Sequence, residues 1–182
     1  MELIMIYEEK TVSSETVFKG HIIDVRVDTV EFPGGKTAYR DIVDHPGGVG
    51  VLAVTDDNKI IIVRQYRKPI EKAIYEIPAG KLDRGEEPLT CGMRELEEET
   101  GFKAKEYISL GYMYPTPGFA NEVTHLYMAK GLYRGTAHPD EDEYLDIDFF
   151  EIEKVKSMIM NNEINDAKTI AAFFKGMELL KN

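Results

Sequence analysis

The sequence predicts an α/β fold: a sheet covered by helices on both faces, preceded by a small antiparallel β section. Three observations carry this. Val49 to Thr55 and Lys59 to Tyr66 are continuous apolar runs, the second holding Ile60, Ile61, Ile62 and Val63 in succession. Strands buried on both faces have this composition. Pro88 to Gly101 has a proline suited to a first helical turn and a glycine suited to the left-handed position past the end. Residues 1–45 instead alternate apolar and polar positions around a Pro-Gly-Gly turn.

In chain order, Val12 to Phe18 and Ile22 to Phe32 are strands, the latter with Ile23, Val25 and Val27 alternating. Pro33-Gly34-Gly35 turns the chain, and Lys36 to Asp44 returns as a hairpin partner. His45-Pro46-Gly47-Gly48 marks the boundary between a section 1–45 and a domain 46–182. A detached hairpin layer has little core of its own and needs something larger to pack on. Asp56-Asp57-Asn58 turns between the two apolar strands. Ile74 to Ile77 is a short strand leading to Pro78-Ala79-Gly80. After the Pro88 helix come a strand at Tyr107 to Met113, a stiff loop at Pro115 to Phe119 and a strand at Val123 to Ala129. Arg134 to Glu143 is a polar, acidic loop. A last strand, Asp146 to Glu151, precedes two helices. One is Glu153 to Met160, with Val155 and Ile159 on one side. The other follows a cap at Asn165 or Asp166 and carries Ile170, Phe173, Phe174 and Met177.

Composition narrows the class. Hydrophobic residues at 43% and charged residues at 30% suit a globular protein of one sizeable core. No apolar run reaches membrane-spanning length. The start, MELIMIYEEK, lacks the basic region and cleavage site of a signal peptide and reads as mature sequence. The single cysteine, Cys91, excludes an internal disulfide and fits a reducing cytoplasm. A net charge of −11 argues against nucleic-acid or acidic-membrane partners. It leaves room for an anionic small molecule, because bound metals and a few arginines invert the sign locally.

The Pro88 helix carries the chemistry. At a helical period Leu89, Met93, Leu96 and Thr100 share one face, which should be buried. Glu95, Glu98 and Glu99 stand at i, i+3 and i+4 on another face, where like charges repel by roughly 0.2–0.5 kcal/mol per pair. Glu98 and Glu99 also occupy the last turn, where the helix dipole disfavours negative charge. A divalent cation removes both penalties, and hard carboxylate oxygens favour magnesium. A solvated acidic helix end is the bland alternative.

The spacing favours the cation. Gly80, Glu86, Arg94, Glu95, Leu96, Glu98, Glu99, Gly101 and Phe102 fall in the pattern glycine, five residues, Glu, seven residues, Arg-Glu-apolar-any-Glu-Glu-any-Gly-apolar. This resembles the Nudix box at every fixed position. The resemblance implies a Nudix fold, an α-β-α sandwich around a mixed β-sheet with an N-terminal antiparallel β subdomain. It also implies hydrolysis of a nucleoside diphosphate linked to another group. Pro117 lies fifteen residues past Phe102 in Thr-Pro-Gly-Phe, where family members acting on ADP-ribose carry a proline, often after serine. The alternative is that Pro117-Gly118 is merely a turn. The flanking segments extend the likeness over residues 17 to 151.

The resemblance assigns roles. Glu95, Glu98 and Glu99, with the Ala79 carbonyl, become ligands for Mg2+, with Mn2+ as a substitute. Glu95 and Glu99 stand closest to the metal. Arg94 orients a carboxylate, or pairs at i,i+4 with Glu98 on the surface. Glu86 caps the helix or reaches the metal's outer shell. The general base lies outside the box, since the box carboxylates are committed to metal. Glu143, in the run Asp140-Glu141-Asp142-Glu143, is assigned that role, with Glu141 as the alternative. A solvated charge run is the bland reading of that segment. Arg40 and Arg67 match arginines that contact phosphate or ribose, and Glu76 is a further substrate-side candidate. Cys91 is read as inert, and His21, His45, His125 and His138 lack ligand spacing. The expected activity is Mg-dependent hydrolysis of ADP-ribose to AMP and ribose 5-phosphate. The alternatives are a Nudix pyrophosphatase for other nucleotide sugars or nucleoside triphosphates, a non-catalytic ADP-ribose-binding module, and an acidic interaction domain. In the family, such an N-terminal section packs across a homodimer and helps close the partner's substrate site.

Overall fold

The computed structural model describes residues 7–136 and 144–181. Packing groups Met1–Pro46 with Thr116–Glu122 as one unit, and Gly47–Pro115 with Val123–Asn182 as another.

In the first unit β1 (Lys10–Lys19), β2 (Asp24–Glu31) and β3 (Thr37–Asp44) form an antiparallel sheet in that order. The β2–β3 hairpin turns where Gly34 and Gly35 both take positive φ, which a side chain would strain. The segment Thr116–Glu122 docks along the other edge of β3. Val43 N–H donates to the Phe119 carbonyl at 2.7 Å, and its carbonyl accepts from Asn121 N–H at 3.1 Å. The Asn121 side chain accepts from His45 N–H at 2.9 Å and donates to Asp44 at 2.7 Å.

In the second unit β4 (Gly48–Ala53) lies inside a mixed sheet. It runs antiparallel to β7 (Ala79–Lys81) and parallel to β9 (Thr124–Arg134), which pairs antiparallel with β8 (Phe102–Met113). A second, antiparallel sheet places β5 (Lys59–Arg67) between β6 (Lys72–Glu76) and β10 (Leu145–Glu151). A bridge between Val54 and Ile60 joins the two sheets across the Asp56-Asp57-Asn58 turn.

Helices α1 (Pro88–Thr100) and α3 (Ala167–Leu180) both pack on β4. Side chains alternate along β4, so the strand feeds two cores. Val51 and Ala53 join Ile61, Ala129 and Leu96 of α1. Leu52 and Val54 join Ile60, Ile62, Met128 and Phe173 of α3, together with Val155, Met158 and Ile159 of α2 (Ile152–Met160). This is the helix-covered sheet that the apolar runs predict, and every core residue of the β4 and β5 runs is buried.

The details differ from expectation in several places. Leu89 and Met93 are 40% and 47% exposed. The buried stripe of α1 is Cys91, Gly92, Glu95, Leu96, Glu99 and Thr100. Small residues let the helix approach β4: a Cβ on Gly92 would stand 3.1 Å from Val49 and 3.2 Å from Val51. Two glutamates therefore turn inward, and the two large apolar residues are displaced outward. β8 begins directly after Gly101, not at Tyr107, because the pairing of Phe102 with Arg134 extends the hairpin. On α3, Phe173 is buried but Phe174 is 45% exposed. The acidic run 137–143, with Glu141 and Glu143, lies outside the described residues. No helix among the described residues is long and apolar enough to cross a membrane.

Phe173 anchors α3 and has almost no exposed surface. Phe173→Ala should destabilise the protein by roughly 3–5 kcal/mol, seen as a lowered urea midpoint with an unchanged m-value.

Candidate active site

The site forms where β7 passes under α1. Pro88 starts the helix, and Gly101 ends it with φ +69°, donating to the Glu97 carbonyl at 2.8 Å. Glu86 does not cap the helix. The cap is Glu87, whose side chain makes no capping bond. Glu86 instead grips Arg94, which donates from Nε to Oε1 and from Nη2 to Oε2, both at 3.0 Å. This is the bidentate fork of a strong charge-assisted pair. Arg94 Nη1 also reaches Glu95 at 2.8 Å and Glu98 at 2.9 Å. One guanidinium therefore orients three carboxylates, and the i,i+4 pairing with Glu98 is only part of its role. The Arg94 hydrogen bonds hold the Glu86 carboxyl down at about 2, and its ion pairs raise the Arg94 pKa further.

Glu95 and Glu99 are buried against the 79–80 backbone. Glu99 Oε2 accepts from Ala79 N–H at 3.0 Å. The Glu95 carboxylate lies over Gly80, where a Cβ would fall inside it. The box glycine is therefore a steric requirement: only a residue without a side chain leaves room for that carboxylate. Cys91 is buried and donates to the Lys81 carbonyl at 3.4 Å. Burial first, and then the charges of Glu86 and Glu95, push its thiol up to about 12, so it is inert as a nucleophile.

The donor set fits a divalent cation. Glu95, Glu98 and Glu99 supply hard carboxylate oxygens on one helix, and the Ala79 carbonyl lies on the adjoining strand. Among the described residues no three acidic, histidine or cysteine side chains are already gathered into a metal cage. The carboxylates are instead turned to Arg94 and to the Ala79 amide.

Arg67 and Glu76 come together beside this cluster. Arg67 donates from Nε to Glu76 Oε1 at 2.7 Å and from Nη2 to Oε2 at 2.9 Å. Glu76 is only 1% exposed. Burial raises its pKa, but Arg67 and Lys168 outweigh this and hold it below the usual value. The Glu76 hydrogen bond and charge, with a smaller contribution from Glu99, raise the Arg67 pKa, so this pair lies within electrostatic reach of the helix cluster. Lys168 completes the group by pairing with both Glu76 and Asp166. The sequence reading did not single it out.

Arg40 and Pro117 belong to the first unit, where they line one recess of about 350 Å3 with Arg26 and Glu9. Arg40 grips Glu9 at 2.8 and 2.6 Å.

Gly80→Ala should displace the Glu95 carboxylate and abolish metal-dependent turnover, while circular dichroism stays native. Glu86 has a depressed pKa, so its stabilisation is complete above its ordinary value of 4.5 and is lost as pH falls toward about 2. Glu86→Gln should therefore lose stability near neutral pH and flatten the acid limb of the stability profile, measured by urea unfolding from pH 7 to 2.5.

The chain is similar to known proteins over most of its length. The NUDIX domain model matches residues 44–173, and the model of the nucleoside diphosphate sugar hydrolase N-terminal domain matches residues 9–43. The ADP-ribose pyrophosphatase of Bacillus subtilis is 47% identical over 167 residues, 91% of this chain and 90% of its own. The methanol dehydrogenase activator of Bacillus methanolicus is 45% identical over 97% of this chain and 98% of its own. A solved ADP compounds hydrolase shares the fold with a TM-score of 0.85 at 24% identity, covering 96% of this chain and 95% of that one. With its box glycine, arginine and glutamates arranged as described and most of its length matched, this chain belongs to the NUDIX domain family.

Proposed function

We propose that the chain hydrolyses the pyrophosphate of ADP-ribose to AMP and ribose 5-phosphate, with Mg2+ as cofactor and Mn2+ as a substitute. The reading rests on the complete acidic face of α1 laid over Gly80, in a chain 47% identical to an ADP-ribose pyrophosphatase. Water adds to one phosphorus as the bridging P–O bond breaks, and each product leaves with one phosphate. Glu95, Glu98, Glu99 and the Ala79 carbonyl hold the cation, and Arg94 orients the first two carboxylates. When bound, the cation polarises phosphate oxygens and acidifies water. Arg67 positions the anion, and Glu76 sets the plane of its guanidinium. Glu143 takes the proton of the attacking water, with Glu141 as the alternative base. Pro117 and Arg40 serve substrate choice.

The section 1–45 acts as a dimerisation element that helps close the partner's substrate site, and 46–182 is the catalytic domain. The partners are thus a small nucleotide and a second copy of the chain. We place the protein in the cytoplasm, in keeping with its one cysteine.

A second reading, hydrolysis of another nucleoside diphosphate sugar, is favoured by the family match over residues 9–43. A binding module without catalysis fits poorly, because such modules commonly lose box carboxylates and this chain keeps Glu86, Glu95, Glu98 and Glu99.

A panel of ADP-ribose, nucleotide sugars and nucleoside triphosphates with and without Mg2+, followed by product identity, tests the reading. ADP-ribose should be preferred and AMP released only with metal. Preference for a triphosphate, or tight binding without AMP release, overturns it. Glu99→Gln should remove about 3 kcal/mol of transition-state stabilisation, roughly 100-fold in kcat, with the fold intact. Near-normal turnover in that variant refutes the ligand assignment.

A further inference from the structure

Lys168 sits at the start of α3, 92 residues from Glu76, yet its ammonium group touches that buried carboxylate. Glu76 thus accepts three N–H donors, two from Arg67 and one from Lys168. A carboxylate has about four lone-pair sites, so three fixed donors leave it little freedom to pivot. Lys168 is itself held by Asp166 Oδ1 at 3.1 Å. The other Asp166 oxygen caps α3, accepting from Thr169 N–H at 2.9 Å and from its hydroxyl at 2.6 Å. That hydroxyl in turn accepts from Ile77 N–H at 2.9 Å. The first turn of α3 therefore grips two consecutive residues, Glu76 by its side chain and Ile77 by its backbone. Two residues on, Ala79 is held by Glu99 of α1.

We infer that Lys168, supported by Asp166 and Thr169, is a positioning residue. Through Glu76 it fixes the Arg67 guanidinium for an anionic substrate, and its helix turn fixes the strand end that leads to Ala79. A buried ion pair is weak evidence for a purely stabilising role, because well-packed apolar groups of similar volume often serve a protein interior as well. Here the charges converge on one carboxylate whose other partner is a site arginine. The inference rests on the reading of Arg67 as a substrate-binding group.

The test is steady-state kinetics of Lys168→Met, Lys168→Arg and Asp166→Asn on whichever diphosphate the wild type cleaves best. Lys168→Met should raise KM and lower kcat/KM roughly 10- to 100-fold, the scale of a misplaced positioning group. Its kcat should change far less, because Arg67 holds the anion alike in the ground and transition states. Lys168→Arg should recover most of the KM. Asp166→Asn keeps a good helix cap while removing the charge that holds Lys168, so it should fold normally and shift KM in the same direction. If Lys168→Met does not fold, the Asp166→Asn result decides. A lowered melting temperature with unchanged KM in these variants makes Lys168 a structural residue and overturns the inference. Failure of the wild type to cleave ADP-ribose while cleaving another diphosphate overturns the substrate reading instead, so the two failures are distinct.

Discussion

The site depends on a helix that turns acidic side chains toward the sheet it packs on. Glu95 and Glu99 occupy the same buried stripe as Leu96 and Thr100. An isolated helix would gain nothing from this, since carboxylates near its C-terminus oppose the dipole and repel one another. The arrangement is tolerable because each group is engaged. Arg94 takes Glu86, Glu95 and Glu98, and the Ala79 amide takes Glu99. One cation among several carboxylates leaves a strong local excess of negative charge, which a divalent cation neutralises. The cost in helix stability and the capacity for metal are the same feature.

The backbone from Glu76 to Gly80 is where the second unit's parts meet. The first turn of α3 holds its start and α1 holds its end. Gly80 must lack a side chain for the Glu95 carboxylate to lie there, and Gly92 must be small for α1 to approach β4. These are distance requirements between elements, and they couple the packing of α1 and α3 to the placement of the Glu95 and Glu99 carboxylates and the Ala79 backbone. A shift of either helix therefore moves the polar groups around Ala79 and Gly80 as well as core side chains.

What the sequence revealed was what is local. The helix ends follow from Pro88 and Gly101, and the two-faced strands follow from unbroken apolar runs at β4 and β5. The box spacing places Glu95 and Glu99 one turn apart. What it concealed depends on distant pairing. Leu89 and Met93 look like core residues by period, yet the helix rotates so that Gly92 and Cys91 meet β4. Lys168 resembles any helix-end lysine until the fold brings it to Glu76. Arg94 shows its i,i+4 partner in the sequence, but its stronger fork to Glu86 spans a loop and the first helical turns.

Thr116–Glu122 docks on β3 largely through its main chain. The bonds that hold it run mainly through backbone: Val43 with Phe119 and Asn121, and the Thr116 carbonyl accepting from Phe119 and Ala120 N–H at 3.2 and 3.0 Å. The Asn121 side chain adds to them and ties the segment to Asp44 and His45, and the Glu122 carboxylate stands 3.9 Å from His45 Nδ1. Because the Thr116 carbonyl closes the turn, threonine in place of serine leaves the loop geometry intact. Pro117 fixes its own φ and lines the same recess as Arg40. A loop held largely by its main chain can change its side chains without losing its place on β3.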